Sequence, residues 1–526
     1  MLRRLAICAA LATWCFLDTW VEFAEGESAY FARHDPLRAV VPPVLAWELA
    51  LTLGLLAVWD LFRRLRLTRR AGMHLLFLAS CLVPLGIASV AAVRASPVDL
   101  LPAIRGRWFW PAVLSAGAVP LIFAFLRPYK ASRLMRQIFL WSWPALAVVL
   151  FQAARATLLR YPAATYRDRA LAQPFLNPPK GVRVVWIVFD ELSQEMAFGN
   201  RSQGPPLTNL GRLKAISFFA TAAKAPSGAT LTSMPGLILG EPVIEAIPRG
   251  PYNLYLRTRS QSQPVPWSAF PSVFDDAREL GFDTALLGWY HPYGRLLNRS
   301  LTHCFWTPQW QDAGVEEEFT QPGFASSMWD RARLQLAALP GAGHLPGVFP
   351  GVYDRQERIK LFSLLLSRAL EWAADPSIGL VLLHLPVPHP PSIYSPPEGA
   401  LTPNGRMGYL DNLLLADRAM GLLRGSIEEA GLWNQSAVLV SADHGWRTSF
   451  WRNEPGWTAT EEAASRQDTS AVPFLLKLPG QTSGAVYEKA LPTVVTRRLI
   501  IEILSGRLTD PAAIPGAIGR IEADMP

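Results

Sequence analysis

Five long apolar stretches occupy the first 157 residues, at about 5–24, 40–62, 72–93, 108–126 and 137–157, with short Arg-rich loops between them. Each approaches the ~20 residues a helix needs to cross a bilayer, and a buried helix of a soluble protein rarely runs so long. Beyond about residue 158 the pattern changes to charged, Pro-rich and short apolar segments, as in soluble domains. At 526 residues the chain also exceeds one ordinary hydrophobic core. The expected organisation is a transmembrane helical domain over 1–157, a linker over 158–180 and a separate domain over 181–526.

Arg3 and Arg4 precede the first apolar run as they would in a signal peptide. The run continues through Trp14, Phe16 and Trp20 without a small-residue cleavage site, so a retained helix is expected. The loop RRLRLTRR (63–70) carries five arginines, and RPYKASRLMR (127–136) carries Arg127, Lys130, Arg133 and Arg136. With Arg3 and Arg4 they mark one side as cytoplasmic, while the alternate loops 25–39 and 94–107 mix fewer arginines with Glu25, Glu27, Asp35 and Asp99. An odd number of spans then puts the C-terminal domain on the extracytoplasmic or periplasmic side of the cell (inner) membrane. Much of the net charge of +8 lies in those loops, where topology explains it, and nucleic acid is not an expected partner. Asp18, Glu22, Glu48 and Asp60 fall within or at the ends of apolar spans, where a carboxylate is costly. Glu22 and Asp60 read as near-interface residues, and Glu48 as a group that could line a lipid-substrate path. Cys304 is the one cysteine outside the spans, so the second domain has no internal disulfide framework and no Cys-based metal site.

In that domain β-rich runs at 182–189, 283–289, 378–385, 437–442 and 472–478 alternate with helical patterns at about 271–280, 353–374, 409–430 and 489–505. This order predicts an α/β domain with a mainly parallel sheet covered on both faces. The Pro- and Gly-rich segments 241–267 and 386–407 read as surface loops. Ligands in open α/β sheets gather at the carboxyl ends of strands, and the polar residues gather there too. The first strand runs into Asp190 and Glu191, the third into His384 and then His389, and the stretch VLVSADHG into Asp443 and His444. Such carboxylates and imidazoles suit Zn²⁺, Mn²⁺, Mg²⁺ or Ca²⁺, although a single Asp after a strand is more often a turn or helix cap. The segment KAPSGATLTSMPGLILG (224–240) adds hydroxyls at Ser227, Thr230, Thr232 and Ser233. A bound cation activates a hydroxyl at a helix start, and the helix N-terminus favours an anionic substrate. Helix capping is the competing reading of the same residues.

Taken in order, IVFDE, TLTSMPGLILG, HLPVPHPP and SADHG resemble the alkaline phosphatase superfamily in its sulfatase-like branch, particularly membrane phosphoethanolamine transferases and lipoteichoic acid synthases. Gly408 to Gly445 resembles the helix, turn and strand leading to that family's second ligand pair, and the likeness spans roughly 181–480. The resemblance implies Thr230 as nucleophile and metal ligand, with Asp190, Glu191, Asp443 and His444 completing the ligand candidates. It implies His389 and His384 as substrate-side residues, a divalent metal cofactor, a phospholipid donor and an envelope glycan or lipid acceptor. The reaction would transfer a phospho-alcohol group through a phospho-threonine intermediate. Sulfatases of this fold convert a Cys or Ser in C/S-x-P-x-R, whereas the chain reads Thr230, Leu231, Thr232, Ser233, Met234, which argues against sulfate-ester hydrolysis. The chain also lacks the transferases' disulfides and their later histidine, His444 being its last; Arg447, Arg452 or Arg466 could supply that cation. Direct hydrolysis of a phosphoric or sulfuric ester, and a membrane-tethered non-catalytic binding scaffold, are the alternatives. The segment GWYHPYGR (288–295) reads either as an aromatic glycan site or as packing.

Overall fold

The protein is described by a computed structural model over residues 2–17, 19–20, 28–31, 36–64, 70–82, 84–85, 126–142, 146–151, 154, 167–179, 181–199, 206–308, 324–325, 328–329, 332, 351–452 and 454–525. The chain divides into two compact units: Met1–Ala29, His34–Thr165 and Glu318–Pro350 form one, and Tyr30–Arg33, Tyr166–Glu317 and Gly351–Pro526 the other.

The described residues of the first unit include helices α1 (Leu2–Trp14), α2 (Pro36–Arg64), α3 (Arg70–Ser80) and α4 (Pro128–Trp141). Two stretches among the described residues, Val41–Leu61 and Pro128–Phe151, are long and apolar enough to cross a membrane, against the five expected. α1 is a 13-residue helix and α3 an 11-residue helix, and residues 83 and 86–93 of the expected span 72–93 and 108–125 of the expected span 108–126 lie outside the described residues. The Arg-rich stretch 127–136, expected as a loop, begins helix α4 instead. Pro128 fits the first helical turn, and Lys130, Arg133 and Arg136 recur every three residues along one side. Glu48 is buried and accepts a hydrogen bond from Trp20 Nε1 at 2.7 Å. Asp60 pairs with Arg4 at 2.9 Å.

The second unit is built on an eight-stranded sheet: β1 (Arg183–Asp190), β2 (Phe218–Lys224), β3 (Thr284–Tyr290), β4 (His303–Pro308), β5 (Leu380–Pro388), β6 (Ser436–Ala442), β7 (Ala471–Lys477) and β8 (Ala485–Pro492). Their spatial order is β8-β2-β7-β6-β1-β5-β3-β4. β4, β3, β5, β1 and β6 are mutually parallel; β7 runs against both β6 and β2, and β8 lies parallel to β2. The sheet is therefore mainly parallel with one inverted strand. Every residue of β1, β5 and β6 is buried, as continuous Val/Leu/Ile runs require when both faces are covered.

Strands β2, β4 and β8 were not legible in the apolar pattern. The helix expected over 489–505 is shorter, Thr496–Leu504, because Ala485–Pro492 pairs with β2 as an edge strand. The segment 241–267, expected as loop, contains a three-stranded antiparallel sheet of Val243–Pro248, Leu254–Thr258 and Val265–Pro266.

Helices α5 (Thr230–Leu239), α6 (Gly351–Ala373) and α7 (Tyr409–Glu429) position the strand-end loops. α6 and α7 pack on each other and on β5. Tyr409 and Asn412, three residues apart on α7, face the same way and tie down two loops. The Tyr409 hydroxyl accepts from Ser193 N at 2.9 Å and donates to Glu191 O at 2.8 Å. Asn412 Nδ2 donates to the carbonyls of Pro388, His389 and Pro391, and its Oδ1 accepts from Ile393 N at 2.9 Å. Replacing Asn412 by Ala strands these buried groups and is expected to cost about 1–3 kcal/mol. Denaturant unfolding of the full chain checks this, and an unchanged midpoint would contradict it.

Candidate metal and nucleophile site

Parallel pairing brings two carboxylates together. Phe189 on β1 lies opposite Ala442 on β6, so the next residue on each chain, Asp190 and Asp443, emerges side by side at the carboxyl edge of the sheet. His444 follows directly. Asp190, Asp443 and His444 are all fully buried and offer ligand atoms within 4.8 Å of one another, a group able to hold a metal ion. The turn after β6 is fixed by a close approach: a Cβ on Gly445 would run into the Thr469 carbonyl oxygen and would lie 2.7 Å from Ser470 Cα. The turn after β1 is fixed by Glu191, whose φ of 65° is unusual for a non-glycine residue. Its backbone N–H donates to Asp443 Oδ1 at 3.1 Å.

The hydroxyl-rich segment supplies the fourth member. Ala229 is the N-cap of α5 and makes no side-chain cap bond, so Thr230 is the first helical residue and its hydroxyl does not cap the helix. Instead Thr230 Oγ1 donates to Asp443 Oδ2 at 2.7 Å and lies 3.3 Å from His444 Nε2 and 3.5 Å from Asp190 Oδ2. Ser233, one turn later, donates its hydroxyl to the Asp443 carbonyl oxygen and seats α5 on the end of β6. Gly240 closes the helix in the left-handed conformation, φ 73°.

The protonation pattern fits a cation. A carbonyl only accepts, so the 2.9 Å contact between His444 Nδ1 and Gly445 O puts the ring proton on Nδ1 of the neutral ring. The lone pair on Nε2 then faces Asp443 Oδ2 at 3.4 Å and Asp190 Oδ1 at 3.6 Å. Asp190 Oδ1 and His384 Nε2 are buried without a hydrogen-bond partner. A lone pair and two carboxylates turned toward one another repel unless a positive ion lies among them. Burial, then the neighbouring Asp443 carboxylate, raises the Asp190 pKa well above the ordinary carboxylate range, with Arg447 and Arg358 pulling it partly back.

The remaining candidates take different positions. Glu191 is not among the grouped ligands: its carboxylate holds the Arg447 guanidinium and accepts from Trp451 Nε1 at 2.9 Å. Arg447 is thus engaged by Glu191; burial opposes its charge, but Glu191 and then Asp190 more than offset this and raise its pKa. Arg452 and Arg466 instead approach Glu462. His384 is fully buried, its Nε2 3.8 Å from Asp190 Oδ2, and burial lowers its pKa to about 4. His389 turns Nδ1 to the Pro390 carbonyl at 2.6 Å, leaving Nε2 as an acceptor. Burial, then Arg358 and Arg447, lowers its pKa well below the ordinary value, so its ground state suits accepting a proton rather than giving one.

His291 is the principal residue not expected at the rim. It follows β3 directly, and the same strand-end rule that selects Asp190 would have selected it. GWYHPYGR is packed rather than open, with Trp289, His291 and Tyr293 all buried. His291 Nε2 lies 3.1 Å from the Thr230 carbonyl oxygen, and burial lowers its pKa to about 3. Arg358, on α6, stacks over Trp289 at 4.2 Å.

No family model matches the chain, and no curated protein does. Among solved structures, a sulfatase from Pseudoalteromonas sp. is 14% identical over 62% of this chain and 69% of its own, with a TM-score of 0.41. A phosphonate monoester hydrolase from Silicibacter pomeroyi is 14% identical over 62% and 73%, TM-score 0.40. A protein in the alkaline phosphatase superfamily from Vibrio parahaemolyticus is 12% identical over 63% and 68%, TM-score 0.38. The likenesses are distant.

Because Asp190 must lose its raised proton to act as a ligand, metal binding should release a proton and the apparent affinity should rise with pH. Calorimetric titration of the full chain with Mn²⁺ or Zn²⁺ in buffers of different ionisation heat reads this directly. Asp443→Asn should weaken binding by more than the about 10–100-fold typical of losing an outer-shell partner. A pH-independent affinity, or one unmoved by Asp443→Asn, would contradict the ligand assignment.

Proposed function

We propose that the chain is a metal-dependent phosphotransferase of the sulfatase-like branch of the alkaline phosphatase superfamily, with Thr230 as nucleophile. One observation carries the reading: Thr230 Oγ1 stands at a helix N-terminus and within 2.7–3.5 Å of Asp443, His444 and Asp190 together. A hydroxyl there meets both requirements of phosphoryl transfer, since its proton has an adjacent acceptor and the helix end favours the anionic group. A divalent metal held by Asp190, Asp443, His444 and Thr230 would supply Lewis-acid stabilisation of negative charge on oxygen.

In the first step Thr230 Oγ1 forms a bond to phosphorus and the bond from phosphorus to the donor's alcohol oxygen breaks. The hydroxyl proton leaves through Asp443 Oδ2, and the departing alcohol takes up one proton in balance. In the second step an acceptor hydroxyl forms the new bond to phosphorus and gives its proton to Nε2 of His389, while the bond from phosphorus to Thr230 Oγ1 breaks and that oxygen recovers its proton from Asp443 Oδ2; His389 then passes its proton to water, which replaces the one the departing alcohol took from water in the first step. Glu191 supports this chemistry indirectly by holding Arg447 beside the group.

The donor we propose is a phospholipid and the acceptor an envelope glycan or lipid, with the second unit on the extracytoplasmic side of the cell membrane. Two features support a membrane setting. Val41–Leu61 and Pro128–Phe151 are of membrane length, and only 28% and 13% of their apolar windows are buried, whereas a core helix of a soluble protein would be mostly covered. Absence of the convertible Cys or Ser at position 230 disfavours the sulfatase alternative.

Intact-mass spectrometry of the full chain in detergent, incubated with Mn²⁺ and a panel of phospholipids, tests the proposal. The expected result is an adduct whose mass names the transferred group and which is absent from Thr230→Ala. Release of phosphate or alcohol to water without an adduct would favour direct hydrolysis. Metal-loaded protein with neither adduct nor product would support the scaffold reading.

A further inference from the structure

The segment Tyr30–Arg33 belongs to the second unit, although it precedes the rest of that unit by more than a hundred residues. Tyr30 is fully buried, and its hydroxyl lies 2.7 Å from His291 Nδ1. The other ring nitrogen, Nε2, lies 3.1 Å from the Thr230 carbonyl oxygen. A carbonyl cannot donate, so Nε2 carries the ring proton; Nδ1 is then the acceptor and Tyr30 the donor. The chain Tyr30 O–H to His291 to Thr230 C=O has one consistent direction.

The surroundings hold the imidazole in that orientation. Its ring is walled by Trp267, Tyr290 and Tyr293 at centroid distances of 5.3, 5.0 and 5.6 Å, with Tyr30 at 6.1 Å, all edge-to-face. Phe31 packs on Tyr290 at 5.2 Å. Tyr290 itself has φ 77°, a strained conformation for a bulky residue and the bend that turns His291 inward after β3.

We infer that Tyr30 is a positioning residue for the nucleophile: it fixes the His291 tautomer, and through the His291 N–H it fixes the backbone of Thr230. This deepens the proposed function and rests on Thr230 being the nucleophile. A short N-terminal segment thereby completes the catalytic unit, and a fragment beginning after residue 166 would carry an unsupported His291.

The test uses the full chain in detergent with Mn²⁺ and bis(4-nitrophenyl) phosphate, together with nitrogen-15 NMR of labelled histidine. Tyr30→Phe keeps the packing and removes one hydroxyl. It should lower kcat about tenfold, the size expected from one lost buried hydrogen bond, leave KM and Mn²⁺ affinity within about twofold, and convert the single His291 tautomer into a mixture. His291→Ala assigns the resonance. Unchanged kcat in Tyr30→Phe beside an inactive Thr230→Ala would overturn this inference alone. Equal activity of Thr230→Ala and wild type would overturn the nucleophile reading and the inference with it. If the diester is not turned over, the tautomer decides: a mixture supports Tyr30 as the fixing donor, and an unchanged single tautomer overturns it.

Discussion

Two buried carboxylates at the ends of adjacent parallel strands are the constraint on which the site depends. The register of β1 against β6 leaves Asp190 and Asp443 no choice but to emerge together, and burial denies both of them water. Two such charges side by side in a poorly polarisable interior are strongly unfavourable without a counter-charge. Arg447 is the cation that most favours the Asp190 charge, yet its ion-pair partner is Glu191. The His444 lone pair turned toward the same space completes an environment that a divalent ion satisfies and a proton satisfies only in part.

Much of the surrounding structure serves to hold that space open and aligned. Gly445 lets the chain turn against residues 469–470, and Ser233 fastens helix α5 to the Asp443 carbonyl. Glu191 and Tyr290, the non-glycine residues with positive φ among the described residues, follow or end strands β1 and β3 at the same rim. Each such conformation costs on the order of 1–3 kcal/mol, which well-packed neighbours must offset. The Tyr409 hydroxyl braces the first turn through the Glu191 carbonyl, and the aromatic wall around His291 braces the second. Strain at both turns, beside the ligand group, is the pattern expected where side-chain aim matters more than local stability.

The sequence was most legible where burial is continuous. β1, β5 and β6 each hold a strongly apolar run, and the charged or imidazole residues at or after their carboxyl ends, Asp190, His389 and the Asp443–His444 pair, could be read as rim residues on that ground. Thr230 was legible as a hydroxyl at a helix start, but only three-dimensional placement separates it from a capping residue, since the cap position falls to Ala229. Glu191 was not legible as an Arg447 partner, because strand periodicity does not fix the direction of a residue in a left-handed turn. Strands β2, β4 and β8 escaped because their pairing depends on partners distant in sequence. Tyr30 escaped for the same reason: 260 residues of chain separate it from His291, and no local pattern carries that contact. In the first unit, apolar length alone suggested five spans, whereas two stretches among the described residues have membrane length, and the Arg-rich stretch read as a loop is helical from Pro128 despite its like charges at three-residue spacing.

The central claim is that one divalent ion sits among Asp190, Asp443, His444 and the Thr230 hydroxyl. Anomalous X-ray diffraction from crystals of the full chain grown with Mn²⁺ tests it most directly. The account predicts a single strong anomalous peak within bonding distance of the carboxylates of Asp190 and Asp443, His444 Nε2 and Thr230 Oγ1. A well-ordered site without that peak, or an ion held by other residues, would contradict it.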